Sequence, residues 1–166
     1  MIENWKKQLD NGEKVGVIFM DLSKAFDTIN HSLLLSKLKA YGFSNQALRL
    51  LQSYLCNRFQ RSIINGSFSS WNEVITGVSQ GSILGPLLFN IFLDDIFLFV
   101  SKCQLCNYAD DNTLYKSGKN MQKIKNDLEM DFMILHKWFH ENHMVLNPDK
   151  CHYIVIGDGD PTQKII

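Results

Sequence analysis

Residues 15–20 (VGVIFM) form an unbroken apolar run that ends on a carboxylate, Asp21. A run that short, with no polar alternation, is the pattern of a central β-strand buried on both faces. It requires a sheet with neighbours on each side and cover above and below. It also delivers Asp21 to the C-terminal edge of that sheet. A strand this apolar seldom ends in a carboxylate without a partner.

The best partner is residues 108–111 (YADD). Residues 103–107 and 112–116 flank it and read as two short strands, with turn-forming polar residues between them. Asp110 and Asp111 are thereby placed at a hairpin tip, where two close like charges call for a cation. Taken alone, an Asp-Asp pair is more simply a solvated turn. If the hairpin adjoins the Val15 strand, three carboxylates converge at one sheet edge. Such a cluster of hard oxygen ligands suits Mg²⁺. Two ions roughly 3.5–4 Å apart can activate an attacking oxygen and stabilise a leaving one.

The other elements follow from local signals. Asn30 or Ser32 caps a helix over Leu33, Leu34, Leu35 and Leu38, which Gly42 ends. Ser44 caps a second helix. Asn65-Gly66 predicts a hairpin over residues 60–75. A glycine-rich loop, 77–86 (GVSQGSILGP), leads into a helix expected to reach about Phe99. Asn120 caps a long amphipathic helix with an apolar stripe of Ile124, Leu128, Phe132, Leu135, Trp138 and Phe139. It ends near His143. Residues 146–150 turn, and 153–156 form a last strand. The order predicts an α+β fold, an antiparallel sheet carrying the carboxylates with helices packed mainly on one face.

Composition narrows the class. Of 166 residues, 45% are hydrophobic and 20% charged, which describes one folded domain rather than a disordered chain. The formal net charge of +0 argues against a self-sufficient nucleic-acid binder, though not against a local basic track. Cys103 and Cys106 have CxxC spacing without a second pair, and a strand would turn them to opposite faces. All four cysteines read as small apolar residues of a reducing compartment. The apolar run 83–100 is interrupted by Gly85, Pro86, Asp94 and Asp95 and makes a poor membrane span. No targeting signal is legible, so the sequence predicts an intracellular protein, nuclear or cytoplasmic, without a membrane partner.

Four segments in order carry a resemblance: 19–27 (FMDLSKAFD), 77–86 (GVSQGSILGP), 108–111 (YADD) and 146–150 (LNPDK). Together they resemble the palm motifs of reverse transcriptases, most of all those of LINE-type, non-LTR retrotransposons, jockey-like elements included. The resemblance covers residues 15–157. It implies that Asp21, Asp110 and Asp111 are the metal ligands, Asp111 the least directly engaged, with two Mg²⁺ ions or Mn²⁺ in their place. It implies that the Leu22 carbonyl helps hold the nucleotide-bound metal. Phe26 would be a steric gate against a ribose 2′-OH, with core packing as an equal reading. Gln80 and Gly81 would support the templating base and incoming nucleotide. Ser79 stands where relatives often carry Pro, and Cys151 where they often carry Thr. Lys150 would sit near the triphosphate as a general acid, although residue type alone favours a surface lysine.

Arg58 and Arg61, near Phe59, suggest a basic and aromatic patch for nucleic acid, or equally a solvated pair near a turn. The implied partners are an RNA template, a DNA primer and deoxynucleoside triphosphates. Residues 1–14 are read as a remnant of fingers or linker, 15–157 as the palm and 158–166 as a tail, with complete fingers and thumb missing. Little activity is expected of the chain alone. The alternatives are a catalytically silent remnant that only folds or binds, and a carboxylate–metal phosphohydrolase, which leaves Phe26, Gln80 and Gly81 unexplained.

Overall fold

The structure, a computed structural model, describes residues 1–79 and 81–157. It resolves into two compact units, Met1–Ser23 with Asp94–Ile166, and Lys24–Leu93. The expectation of an α+β fold built on an antiparallel sheet is met.

The first unit is built on a four-stranded sheet in the order β6-β7-β1-β8: β1 (Lys14–Met20), β6 (Gln104–Tyr108), β7 (Asp111–Gly118) and β8 (His152–Ile156). The apolar run is central, as its pattern requires, and pairs antiparallel with both β7 and β8. Alternation along β1 then decides which helix covers which face. Val15 and Val17 pack with Trp5 of α1 (Ile2–Asp10), whose ring meets Tyr115 edge-on at 5.5 Å. Gly16 lies on the other face under α5 (Met121–Glu141). A Cβ there would stand 2.7 Å from both Ile124 and Leu128. The glycine lets the long helix seat directly on the strand. Thus α5 supplies most of the helical cover on one face, and α1 covers part of the other.

Caps are where the sequence signals place them. Asn120 Oδ1 accepts from Lys123 N–H at the start of α5. The buried stripe of α5, however, holds Asp131 in place of Phe132, which is half-buried. Asp131 Oδ2 accepts the backbone N–H groups of Lys102 and Cys103 at 2.8 and 2.7 Å, fixing the approach to β6.

The second unit holds α2 (His31–Ala40), α3 (Asn45–Leu55) and α4 (Leu84–Leu93), with α2 packed on both others. Asn30 and Ser44 cap the first two of these. The helix expected to reach Phe99 stops at Leu93 and gives way to a 3₁₀ segment, Asp94–Leu98. Two adjacent carboxylates at a helix C-terminus oppose its dipole, which explains the early end. The hairpin over 60–75 is present but interrupted. Its inner pair is β3 (Ile63–Ile64) with β4 (Ser67–Phe68), closed by Asn65 and Gly66 at φ 49° and 82°. The outer pair is β2 (Phe59–Gln60) with β5 (Asn72–Glu73).

Candidate active site

Register does most of the positioning. β1 and β7 are aligned through Met20↔Asn112, so one further step sets Asp21 opposite Asp111 at the same end of adjacent strands. Like charges directly opposite on a sheet repel, and a cation is the usual remedy. The hairpin itself is closed by the Tyr108↔Asp111 pair, with Ala109 and Asp110 as the two turn residues. Ala109 has φ 53° and Asp110 is not in the positive-φ region, the pattern of a type II′ turn. Glycine is the easy residue for that first position, so alanine stores strain at the tip.

Two amides, the buried Asn112 and the half-buried Asn107, hold this turn. Asn112 is 1% exposed; its Nδ2 donates to the Asp110 carbonyl at 2.9 Å, and its Oδ1 accepts from Asn107 Nδ2 at 2.7 Å. Sequence reasoning passed over both residues. The available signal was a pair of amides bracketing the acidic tip at symmetric positions.

A cavity of about 550 Å³ opens beside the tip. Asp21, Asp111, Lys150, Tyr108, Cys106 and His152 are among its walls. Asp110 is half-buried in the turn, and its side chain is not part of the lining. Among the described residues no three His, Cys, Asp or Glu side chains are grouped closely enough to hold a metal. The expected convergence of three carboxylates is therefore not present as such. Asp21 and Asp111 are brought together, and Asp110 follows one residue away around the turn.

Asp21 is gripped by the segment that follows α5. Lys150 Nζ stands 3.3 Å from Asp21 Oδ2. Asn147 N–H donates to the Asp21 carbonyl at 2.9 Å, and Ser23 N–H donates to Val145. Those two bonds flank the Leu22↔Leu146 bridge, so Leu22 itself directs its backbone away from that ladder. No hydrogen bond to the Leu22 carbonyl is present among the described residues. Asp21 and Asp111, opposite each other on adjacent strands and lining one cavity, are hard oxygen donors of the kind a divalent cation takes. The buried Cys151 completes the grip. Its thiol is pushed up by burial, drawn down by the Asp21 N–H directed at its sulfur, and raised again by the Asp21 charge.

The remaining expected site residues belong to the second unit. Phe26 is half-buried and stacks on Phe89, with centroids 4.3 Å apart and planes at 19°. Its carbonyl accepts from Val78 N–H, and Ile29 O accepts from Gly77 N–H, which ties the Phe26 segment to the start of the glycine-rich loop. His31 Nε2 bonds the Gly77 carbonyl at 2.7 Å. Gly81 follows in a turn at φ 77°, with open space around it. Gln80 lies outside the described residues, as does the 158–166 tail. Arg58 helps to line a second cavity, of about 630 Å³, together with Lys24, Asp27 and Glu73. Arg61 is not in that cavity. Its guanidinium lies 4.0 Å from the ring centre of Phe68 and 4.7 Å from that of Trp71.

Residues 2–164 match the reverse transcriptase (RNA-dependent DNA polymerase) family. The chain belongs to that family. Its relatives include polymerases of mobile elements, and the chain is a reverse transcriptase domain. It is 26% identical over 181 residues to the Pol polyprotein of the type-1 retrotransposable element R2 of Popillia japonica, covering 99% of this chain and 29% of that protein. It is 27% identical over 150 residues to the RNA-directed DNA polymerase from mobile element jockey of Drosophila melanogaster, covering 86% of this chain and 16% of that protein. Among solved structures, a telomerase from Candida tropicalis superposes with a TM-score of 0.67 at 14% identity, over 95% of this chain and 34% of that one. That likeness concerns the fold alone, a polymerase palm. The chain spans less than a third of the length of these two relatives. Among the described residues no helix is long and apolar enough to cross a membrane.

Proposed function

We propose that this reverse transcriptase domain is the palm of an RNA-directed DNA polymerase, with residues 15–157 as palm and 1–14 as the end of a preceding fingers or linker segment. It would add deoxynucleotides to a DNA primer on an RNA template. The observation that carries the reading is the strand register that sets Asp21 opposite Asp111 at the wall of one cavity.

Asp21, Asp111, Asp110 and the Leu22 carbonyl would hold divalent ions, Mg²⁺ or Mn²⁺. When bound, these supply charge stabilisation to the attacking primer oxygen and to the departing pyrophosphate. The chain's own contribution is positional. Asn107 and Asn112 fix the turn that presents the two hairpin carboxylates, and Asn147 fixes Asp21. Lys150 offers a proton-bearing ammonium to leaving phosphate oxygens. Phe26 would discriminate against a 2′-OH, its ring held in place by the stack on Phe89, and Gln80 and Gly81 would support the base pair. Arg58 and the Arg61–Phe68–Trp71 stack offer cationic and aromatic faces to a nucleic-acid strand.

Mn²⁺ titration tests the metal assignment. Asp110→Asn and Asp111→Asn should each weaken binding, and unchanged binding in both would show the assignment to be wrong. A binding-only module, presenting Arg61, Phe68 and Trp71 to a strand, is the second reading. Primer extension on an RNA template separates the two.

A further inference from the structure

The pairing of Lys150 with Asp21 has a consequence for the cation that the metal-site reading places there. Asp21 is 20% exposed and faces a like charge across the sheet, so a positive partner is needed whenever no metal is bound. Lys150 is the cation that fills this need. It does not arrive by chance from a free surface arm. Its backbone belongs to a short 3₁₀ turn, Pro148–Lys150, capped by Asn147 Oδ1 on Asp149 N–H. The same Asn147 donates to the Asp21 carbonyl, and Lys150 N–H bonds back to Asn147 O. The ammonium is thus delivered to Asp21 by a segment already anchored to Asp21, which lowers the entropy cost that usually cancels an exposed ion pair.

We propose that Lys150 is a built-in competitor for the cation: it occupies Asp21 in the metal-free state and must be displaced when a divalent ion enters. The inference rests on the metal-site reading above and adds to it a residue that sets the affinity. Lys150 is 64% exposed, so its side chain can swing into solvent or toward phosphate oxygens once displaced, without unpacking any core. The direction of the effect is opposite to that of a residue that helps to build the site. Removing a builder weakens metal binding; removing a competitor strengthens it.

The test is a calorimetric Mn²⁺ titration of the full chain and its variants, with circular dichroism confirming that each is folded. Lys150→Met keeps the length of the side chain and removes the charge. It should bind Mn²⁺ roughly three- to ten-fold more tightly than the parent. Lys150→Arg restores a cation able to pair with Asp21 and should return the affinity to the parental value or below it. If Lys150→Met binds Mn²⁺ no more tightly than the parent while Asp21→Asn binds it more weakly, the competition is overturned and the metal site stands. If Asp21→Asn binds Mn²⁺ as the parent does, the metal site itself is wrong and the competition falls with it.

Discussion

Asn107 and Asn112 face each other across the acidic hairpin and share a hydrogen bond of 2.7 Å, each two residues from the Ala109–Asp110 turn. The pair converts a strained tip into a fixed one. Asn112 spends both ends of its amide, accepting from Asn107 and donating to the Asp110 carbonyl.

Asn112→Ala should therefore cost about 2 kcal/mol in urea unfolding. It removes two hydrogen bonds at a buried position and leaves the Asn107 amide and the Asp110 carbonyl without their partner. A loss under roughly 0.5 kcal/mol would mean that the pair does not support the turn.

Asp131 is the corresponding support at the root of the hairpin. Its side chain is fully buried, and one oxygen receives two backbone N–H groups. Asp131→Ala strands both donors and should destabilise the chain by about 3 kcal/mol, read from the urea midpoint. Asp131→Asn keeps one acceptor oxygen and should cost less. If the two variants unfold at the same midpoint, the carboxylate is not serving those two donors.

These two supports mark the boundary of what the sequence discloses. The central strand was legible because six apolar residues in a row admit few other placements, and the caps because Asn30, Ser44 and Asn120 have local partners. Asp131 was not legible. A buried acid in an apolar stripe looks like a surface residue until its donors are known, and these lie 28 and 29 positions away. The apolar period therefore points to Phe132, one residue from the buried Asp131. The motifs named Asp21, Asp111 and Lys150 as site residues, but not the Lys150–Asp21 pairing, which follows from an Asn147 bond to the Asp21 backbone that no motif spacing reveals.

Gly77 should tolerate no side chain. It has φ 86°, and a Cβ would approach the backbone of Asp27 to 2.8 Å. Gly77→Ala should cost roughly 3 kcal/mol, combining left-handed strain with a clash against main chain. Gly81 has a similar φ of 77° but open surroundings, so Gly81→Ala should cost only about 1 kcal/mol. Thermal unfolding of the two variants checks the ranking, and equal losses would remove the argument from close approach.

The Arg61 guanidinium lies over the rings of both Phe68 and Trp71, residues that are 56% and 60% exposed. A preformed cluster of a cation and exposed aromatic residues suits unpaired bases. Trp71→Ala should weaken binding of a fluorescent single-stranded oligonucleotide by roughly five- to ten-fold in anisotropy titrations. Unchanged affinity would leave the stack a purely structural feature of the arm.

Cys103 adds an alkaline dependence to the stability of the fold. Burial is the first cause that pushes its thiol up, to about 12 from 9.0; the Asp131 charge and a hydrogen bond to Asp131 add to it, and Lys116 opposes. The folded chain therefore keeps this proton where the unfolded chain has lost it. Between about pH 9 and pH 12 the unfolded state binds fewer protons, so this contribution to stability is intact below pH 9 and is lost as pH rises toward 12. Reactivity follows the same logic, since only the thiolate is alkylated. At pH 8, iodoacetamide should label Cys103 at least about tenfold more slowly in the folded chain than in urea, followed peptide by peptide by mass spectrometry. Asp131→Asn removes a negative neighbour and should speed the folded-state labelling. Equal rates in the folded and unfolded chain would show that the thiol is neither buried nor held by Asp131.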